Sequence, residues 1–206
     1  YDPASRLTSV SGGTASRVTT ATAALASPTL SEQYYYDRRD NLIEKIDAAG
    51  ARTLFWYDKL DRVTDQLSSM GTLTHNVYDK NGNVIERRGY ADLVGLPANA
   101  NGAPPTPGGS GTYRVTQYAY DALNRLTDAI TPNVVVANYA TAFAVTTQSL
   151  ATHYDYDGLG NLVKTTDARG AITWAYFDKL GRKTTQIDAL NFRTDWTYDG
   201  DGNVLS

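Results

Sequence analysis

Read in steps of two, the chain presents one recurring face. Seven positions anchor it: Tyr36, Tyr57, Tyr78, Tyr120, Tyr156, Phe177 and Tyr198. Two residues earlier come Tyr34, Phe55, Asn76, Tyr118, Tyr154, Ala175 and Trp196, and four residues earlier comes threonine, except at Glu32. A period of two marks a strand whose two faces differ. Threonine, aromatic ring and tyrosine are therefore expected on one face of a strand ending at each anchor. Stacked across neighbouring strands they would form ladders. A tyrosine buries about 150–250 Å², so such ladders are expected to hold a sheet together without a conventional aliphatic core.

Aspartate follows every anchor, giving Tyr36-Asp37, Tyr57-Asp58, Tyr78-Asp79, Tyr120-Asp121, Tyr156-Asp157, Phe177-Asp178 and Tyr198-Asp199, with an earlier Tyr1-Asp2. Four of the steps between anchors are 21 residues long. Three residues after the aspartates come Ser5, Asp40, Asp61, Gly82, Asn124, Gly160, Gly181 and Gly202. Gly, Asn and Asp tolerate a left-handed backbone at low cost, and an Asp side chain accepts from the amide two residues on. Asp-x-x-Gly is thus predicted to be a hairpin turn of type I closed by a left-handed residue.

The next position alternates: Arg6, Asn41, Arg62, Asn83, Arg125, Asn161, Arg182, Asn203. Nothing in the sequence explains the alternation. A second turn is expected at Asp47–Gly50, Asp167–Gly170 and Asp188–Asn191. Two turns per unit leave strands of about six residues, so each unit is one β-hairpin.

The return strands carry apolar pairs, Leu42 with Ile46, Val63 with Leu67 and Leu126 with Ile130, separated on the same face by Glu44, Asp65 and Asp128. A charge there is not fully buried unless paired, so this face is expected to be only partly dry. The fold class predicted is all-β: residues 1–206 form a single array of about seven or eight antiparallel hairpins in one curved or spiral sheet. Insertions fall at 8–31, 91–112 and 131–151. The first and last are expected to hold an extra or decayed strand. The Pro- and Gly-rich 91–112 is expected as an excursion at a sheet edge. The chain starts at a repeat and stops partway through one, as a segment of a larger array would.

Composition narrows the function. There are 15 tyrosines against 4 phenylalanines and no cysteine, which excludes disulfides and thiolate metal sites and leaves the compartment open. A net charge of −3 argues against nucleic-acid binding, which needs a basic patch. No apolar run is long enough for a transmembrane helix, and no signal peptide is visible.

Candidate chemistry is sparse. Asp199 and Asp201 sit in Asp-Gly-Asp-Gly-Asn, similar to a calcium loop, but Asp199 and Gly202 align with the turn residues Asp178 and Gly181. The chain ends before the bidentate glutamate such a loop uses. His75 and His153 share one slot, three before the anchor, with Gln33, Leu54, Gln117, Trp174 and Asp195. So varied a slot is expected to face solvent rather than hold a base or ligand. No Gly-x-Ser-x-Gly elbow is present, and no catalytic residue, cofactor or metal site is assigned. Trp56, Trp174 and Trp196 are candidates for stacking on glycans.

The motif Tyr-Asp-x-x-Gly-Asn/Arg-Leu, clearest in Tyr156–Leu162 and in Phe177–Arg182, resembles the YD (RHS) repeat. That family includes bacterial Rhs polymorphic toxins, wall-associated relatives, Tc toxin components and teneurins. The resemblance implies a secreted or cell-surface bacterial β-shell that encloses a C-terminal toxin or other cargo. The repeat residues would then be structural, and the partners would be neighbouring repeats and the cargo. Rhs shells end in an aspartate-based self-cleavage motif, which this chain lacks: its lone Asp-Pro, Asp2-Pro3, belongs to a repeat turn. The alternative is a surface module binding glycans or proteins. Open sheet edges imply self-association.

Overall fold

The computed structural model describes residues 6–14, 17–18, 25–26, 29–108, 112–138 and 144–205, and the Tyr1-Asp2 repeat lies outside them. All the regular structure among them is β. The strands are β1 (Ser9–Thr14), β2 (Arg17–Val18), β3 (Leu25–Ala26), β4 (Thr29–Tyr36), β5 (Leu42–Ile46), β6 (Arg52–Tyr57), β7 (Val63–Leu67) and β8 (Leu73–Tyr78). They continue as β9 (Val84–Tyr90), β10 (Tyr113–Tyr120), β11 (Leu126–Asn138), β12 (Ala144–Tyr156), β13 (Leu162–Thr166), β14 (Ile172–Phe177), β15 (Lys183–Ile187) and β16 (Arg193–Asp195). The chain divides into two compact units, Tyr1–Val77 with Arg87–Arg114, and Tyr78–Glu86 with Val115–Ser206.

Each unit is an antiparallel sheet in which strands lie beside their chain neighbours. The first runs β1-β4-β5-β6-β7-β8, with β2 and β3 forming a separate small pair, and the second runs β10-β11-β12-β13-β14-β15-β16. Hairpin follows hairpin because the turns recur at short range. Where an Asp-x-x-Gly turn follows an anchor, the register shifts by one residue just before it, between Tyr35 and Tyr36, Trp56 and Tyr57, Asp155 and Tyr156, and Tyr176 and Phe177. This is the bulge that a left-handed closing residue produces. Positive φ occurs at Asp40, Asp61, Asn124 and Asn191, and at Gly82, Gly160, Gly181 and Gly202.

The segments outside the 21-residue period have distinct structures. Residues 131–138 and 144–150 continue β11 and β12 as one long hairpin, pairing as far as Asn138 with Ala144. In 8–31, β1 pairs with β4, Ser9 opposite Gln33. A further turn of the second type closes β7 to β8: Ser68 replaces the aspartate, its Oγ accepting from the Thr72 amide at 3.2 Å. A hydroxyl does this more weakly than a carboxylate, so the signal is fainter.

Residues 91–108 depart from expectation. They do not hang from an edge but lie across the face of β5–β8. Val94 and Ala100 are buried there with Leu54, Trp56, Leu67 and Leu73, while Ile43, Tyr90 and Leu96 pack around them. Four polar contacts fasten the segment: Arg52 Nη1 and Nη2 donate to the carbonyls of Pro97 and Ala98 at 3.2 and 2.9 Å, Trp56 Nε1 donates to that of Gly102 at 2.8 Å, and the Val94 amide donates to the Gly71 carbonyl at 2.9 Å. Two expectations therefore change. The first unit does have an aliphatic core, and it lies on the face opposite the tyrosine ladder. Each fully buried leucine contributes about 1.5–3 kcal/mol, in addition to what the partly buried ladder rings supply. The face carrying Glu44 and Asp65 is also the driest in the unit. Both acids are buried, at 9% and 7% exposure, because each is paired: Glu44 with Arg52 at 2.5 Å and Asp65 with His75 at 2.8 Å.

Candidate functional site

The repeated residues meet along a seam of turns. In every described Tyr/Phe-Asp turn, the aspartate Oδ1 accepts two backbone amides, from the residues two and four positions on. At Asp157 these come from Leu159 and Asn161, both at 2.9 Å. At Asp178 they come from Leu180 at 2.9 Å and Arg182 at 3.0 Å.

Oδ2 takes the side chain of that fourth residue, which accounts for both residue types there. Arg62, Arg125 and Arg182 donate Nε at 2.7, 2.6 and 2.7 Å. Asn41, Asn83, Asn161 and Asn203 donate Nδ2 at 3.1, 2.9, 2.9 and 2.8 Å. Either residue offers an N–H at the right reach. So many donors favour the ionised carboxylate. Asp58, Asp79, Asp157 and Asp199 titrate below the ordinary range chiefly through the side-chain hydrogen bond from the fourth residue. In Asp121 and Asp178 the arginine's backbone amide is the larger cause of the same lowering.

The tyrosines join one repeat to the one before. Tyr36 Oη donates to the Leu7 carbonyl at 2.8 Å, Tyr57 to Leu42 at 2.7 Å and Tyr120 to Val84 at 3.0 Å. Tyr156 donates to Leu126 at 3.0 Å and Tyr198 to Lys183 at 2.6 Å. Each acceptor is the residue just after the Arg or Asn of the preceding turn. Phe177 cannot make this bond.

The two types at the fourth position then differ in what else they reach. Arg6, Arg125 and Arg182 stack over the rings of Tyr36, Tyr156 and Tyr198 in the next repeat, at 5.0, 4.7 and 4.6 Å. The same guanidinium groups donate to the carbonyls of Asp37, Asp157 and Asp199. Asparagine is too short for that. Asn41 and Asn83 instead reach the next turn's left-handed residue, Asp61 Oδ1 at 2.7 Å and Asn124 Oδ1 at 2.9 Å. Arginine joints thus stand at Arg6, Arg125 and Arg182 and asparagine joints at Asn41 and Asn83, whereas the turn after Asn161 closes with Gly181, which has no side-chain acceptor.

The other candidates occupy separate places. Trp56 is 7% exposed beneath 91–108, so its ring is closed to a stacking sugar. Trp174 is 39% exposed with Lys164 Nζ 5.4 Å above it, and Trp196 lies on the ladder face under Lys183 at 5.6 Å. Asp199 spends its carboxylate on the Asp201 and Asn203 amides and on Asn203 Nδ2. Among the described residues, no group of three His, Cys, Asp or Glu could hold a metal.

The histidine slot is not uniformly open to solvent, since Leu54 in it is fully buried. Each histidine instead faces an aspartate directly across the hairpin. His75 pairs with Asp65, and His153 Nδ1 lies 2.7 Å from Asp128 Oδ1 while its Nε2 lies 3.2 Å from Asp155 Oδ1. A sequence signal existed: both histidines follow a return strand with aspartate four residues after the left-handed turn residue.

Residues 144–172 and 156–192 match the family described as RHS Repeat. No curated protein matches. Among solved structures, TcdB2-TccC3-TEV is similar at 15% identity and TM-score 0.38, covering 100% of this chain and 12% of its own. TcdB2-TccC3-Cdc42 gives 13% identity and TM-score 0.37, covering 90% of this chain and 12% of its own. A Tc holotoxin pore from Photorhabdus luminescens gives 13% and 0.21, covering 88% and 13%. The chain thus spans about an eighth of the length of these structures. Residues 144–192 thus match RHS repeats, and the tyrosine–aspartate period of that stretch recurs along the rest of the chain.

Proposed function

We propose that this chain is a non-catalytic wall segment of an exported bacterial Rhs-like β-shell, and that the shell encloses a toxin or other cargo. One observation carries the reading: the side chains that recur with the period are spent on one another. Turn aspartates, their Arg or Asn partners and the tyrosine hydroxyls all bond within a turn or to the adjacent repeat. Such a seam resists separation of neighbouring hairpins and leaves no nucleophile or general base among the repeated residues. Its natural partners are further repeats, and the cargo is whatever the assembled wall surrounds.

Limited proteolysis of the intact parent protein tests enclosure. Cargo segments should survive protease until the shell is denatured. Digestion of cargo at the rate of the unfolded chain would remove the shell reading while leaving the repeat fold untouched.

A second reading, a surface module for glycans or proteins, draws on the open ring of Trp174, 39% exposed, beside the exposed Tyr176. A glycan array with the purified chain separates the two, since a wall segment should bind no sugar above background.

Strand edges also invite self-association. Strand β16 pairs only with β15 among the described residues, although its Arg193 and Asp195 place charge on that edge. Light scattering across concentrations should show oligomers, and a monomer throughout would remove this partner.

A further inference from the structure

The two units present the same sheet face under different conditions. Positions are matched by their distance from the anchor residue, Tyr57 in one and Phe177 in the other. Leu54 corresponds to Trp174, Trp56 to Tyr176 and Arg52 to Ile172. The pairing matches as well: Leu54 lies opposite Leu67 and Glu44, and Trp174 lies opposite Ile187 and Lys164.

In the first unit this face is covered by residues 91–108. The cover has no helix or strand, one charged residue (Asp92) and many Ala, Pro and Gly. Small apolar side chains fill the gaps between Leu54, Leu67 and Leu73, and backbone carbonyls accept from Arg52 and from the Trp56 indole. In the second unit the matching residues are open. Trp174 is 39% exposed, Tyr176 50% and Ile172 36%, against 0% for Leu54 and 7% for Trp56. They form a contiguous apolar row along β14. Beside it Lys164 is already neutralised by Asp155 at 3.3 Å, so the face attracts neither charge strongly.

We propose that the face of β13–β15 centred on Trp174 and Tyr176 is a docking site for an extended, sparsely charged, Ala/Pro/Gly-rich segment of a partner polypeptide, seated as residues 91–108 are seated on β5–β8. The chain itself shows which chemistry this face accepts. Extended chain supplies unpaired carbonyls, and the Trp174 indole N–H, without a protein partner among the described residues, is a donor for one, as Trp56 is for Gly102. Prolines lower the entropy lost on docking. A segment whose apolar positions face the sheet, as Val94, Leu96 and Ala100 do in the first unit, puts no ion beside Ile172 and Ile187. This inference does not depend on enclosure of cargo.

The test uses the whole chain and a fluorescent peptide with the sequence of residues 91–108. Saturable binding to the wild type is expected, weakened at least tenfold in the double variant Trp174→Ala/Tyr176→Ala with its β circular-dichroism spectrum retained. A copy of the peptide with glutamates at the Val94, Leu96 and Ala100 positions should not bind. Amide NMR shifts on titrating the wild type with peptide should fall on β13–β15, which keeps the test decisive if the double variant fails to fold. No binding at millimolar peptide, equal binding to the double variant, or shifts confined to β5–β8 would overturn the proposal. So would burial of Trp174 by self-association that the peptide does not compete with.

Discussion

The Tyr156 hydroxyl donates a 3.0 Å hydrogen bond to the carbonyl of Leu126, thirty residues earlier in the chain and just after Arg125 of the preceding turn. Arg125 in turn lies over the Tyr156 ring at 4.7 Å. One residue of each repeat thus holds the other from both its polar end and its ring face.

Phe177 is the natural gap in this series. Phe177→Tyr should supply the hydroxyl facing the Leu162 carbonyl and raise stability by about 0.5–1.5 kcal/mol, the net worth of one hydrogen bond. Tyr156→Phe should lower it by a similar amount. Urea unfolding followed by circular dichroism reads both, and a destabilised Phe177→Tyr would contradict the seam geometry.

Gly71 and Gly50 separate backbone strain from contact with the cover. Both have positive φ, +80 and +82. A Cβ at Gly50 meets nothing within 4 Å, whereas one at Gly71 would lie 2.7 Å from the Val94 carbonyl oxygen. Gly50→Ala should cost about 1–2 kcal/mol, the left-handed penalty for a residue with a Cβ. Gly71→Ala should cost more and should also free residues 91–108, seen as faster amide exchange there. Equal costs would mean that the segment gives way freely at Val94.

Arg125→Asn tests the two kinds of joint. Asparagine should keep the bond to Asp121 Oδ2, as Asn161 does to Asp157, but lose the Asp157 carbonyl and the Tyr156 ring. A loss of about 1–2 kcal/mol is expected, from an exposed cation–π contact and a charge-assisted hydrogen bond. A double-mutant cycle with Tyr156→Leu should show coupling between the two sites, and zero coupling would deny the joint.

Acid should act through the turns. Their carboxyls have folded pKa values below the unfolded value of 3.8. Their contribution to stability is therefore fully present above that value and is lost as pH falls through the lower folded pKa values. Many equivalent turns should make the loss steep below about pH 4. Thermal unfolding between about pH 5 and about pH 2, which brackets the carboxylate range, should show it. Asp157→Asn should flatten the curve.

His153 should act at the other end. Its hydrogen bond to Asp128, and then the charges of Asp128 and Asp155, raise its pKa above 6.5. Lys164, from the adjacent strand, shares Asp155. A raised histidine stabilises fully below its unfolded pKa, and that contribution disappears as pH rises through the folded value. Urea midpoints should fall above pH 6.5, and less so in His153→Gln. Proton NMR of the His153 ring reads the titration directly, and a midpoint below 6.5 would contradict the pairing.

Much of this protein is legible in its sequence. Hairpins, left-handed closers such as Asp40 and Asn124, and the amides gathered by each aspartate all follow from residues within five positions of one another. Short-range steric and hydrogen-bonding rules dictate these without reference to the rest of the fold. The meaning of Arg or Asn at the fourth position was only half local. The bond to the turn aspartate lies within reach, but the stacking on Tyr156 or the contact with Asp61 spans two repeats.

What the sequence determined is the repeating unit and the direction in which units follow one another, because turn chemistry acts over a few residues and the period writes it out. What the tertiary structure decided is which face becomes dry. Residues 91–108 carry no periodicity, so nothing local says that they fold over Leu54, Leu67 and Leu73. Once they do, Glu44 and Asp65 lose water and must be held by Arg52 and His75. Burial depends on what arrives from elsewhere in the chain. For that reason Trp56 and Trp174, alike in the sequence as strand tryptophans on one face, end as a core residue and an open surface.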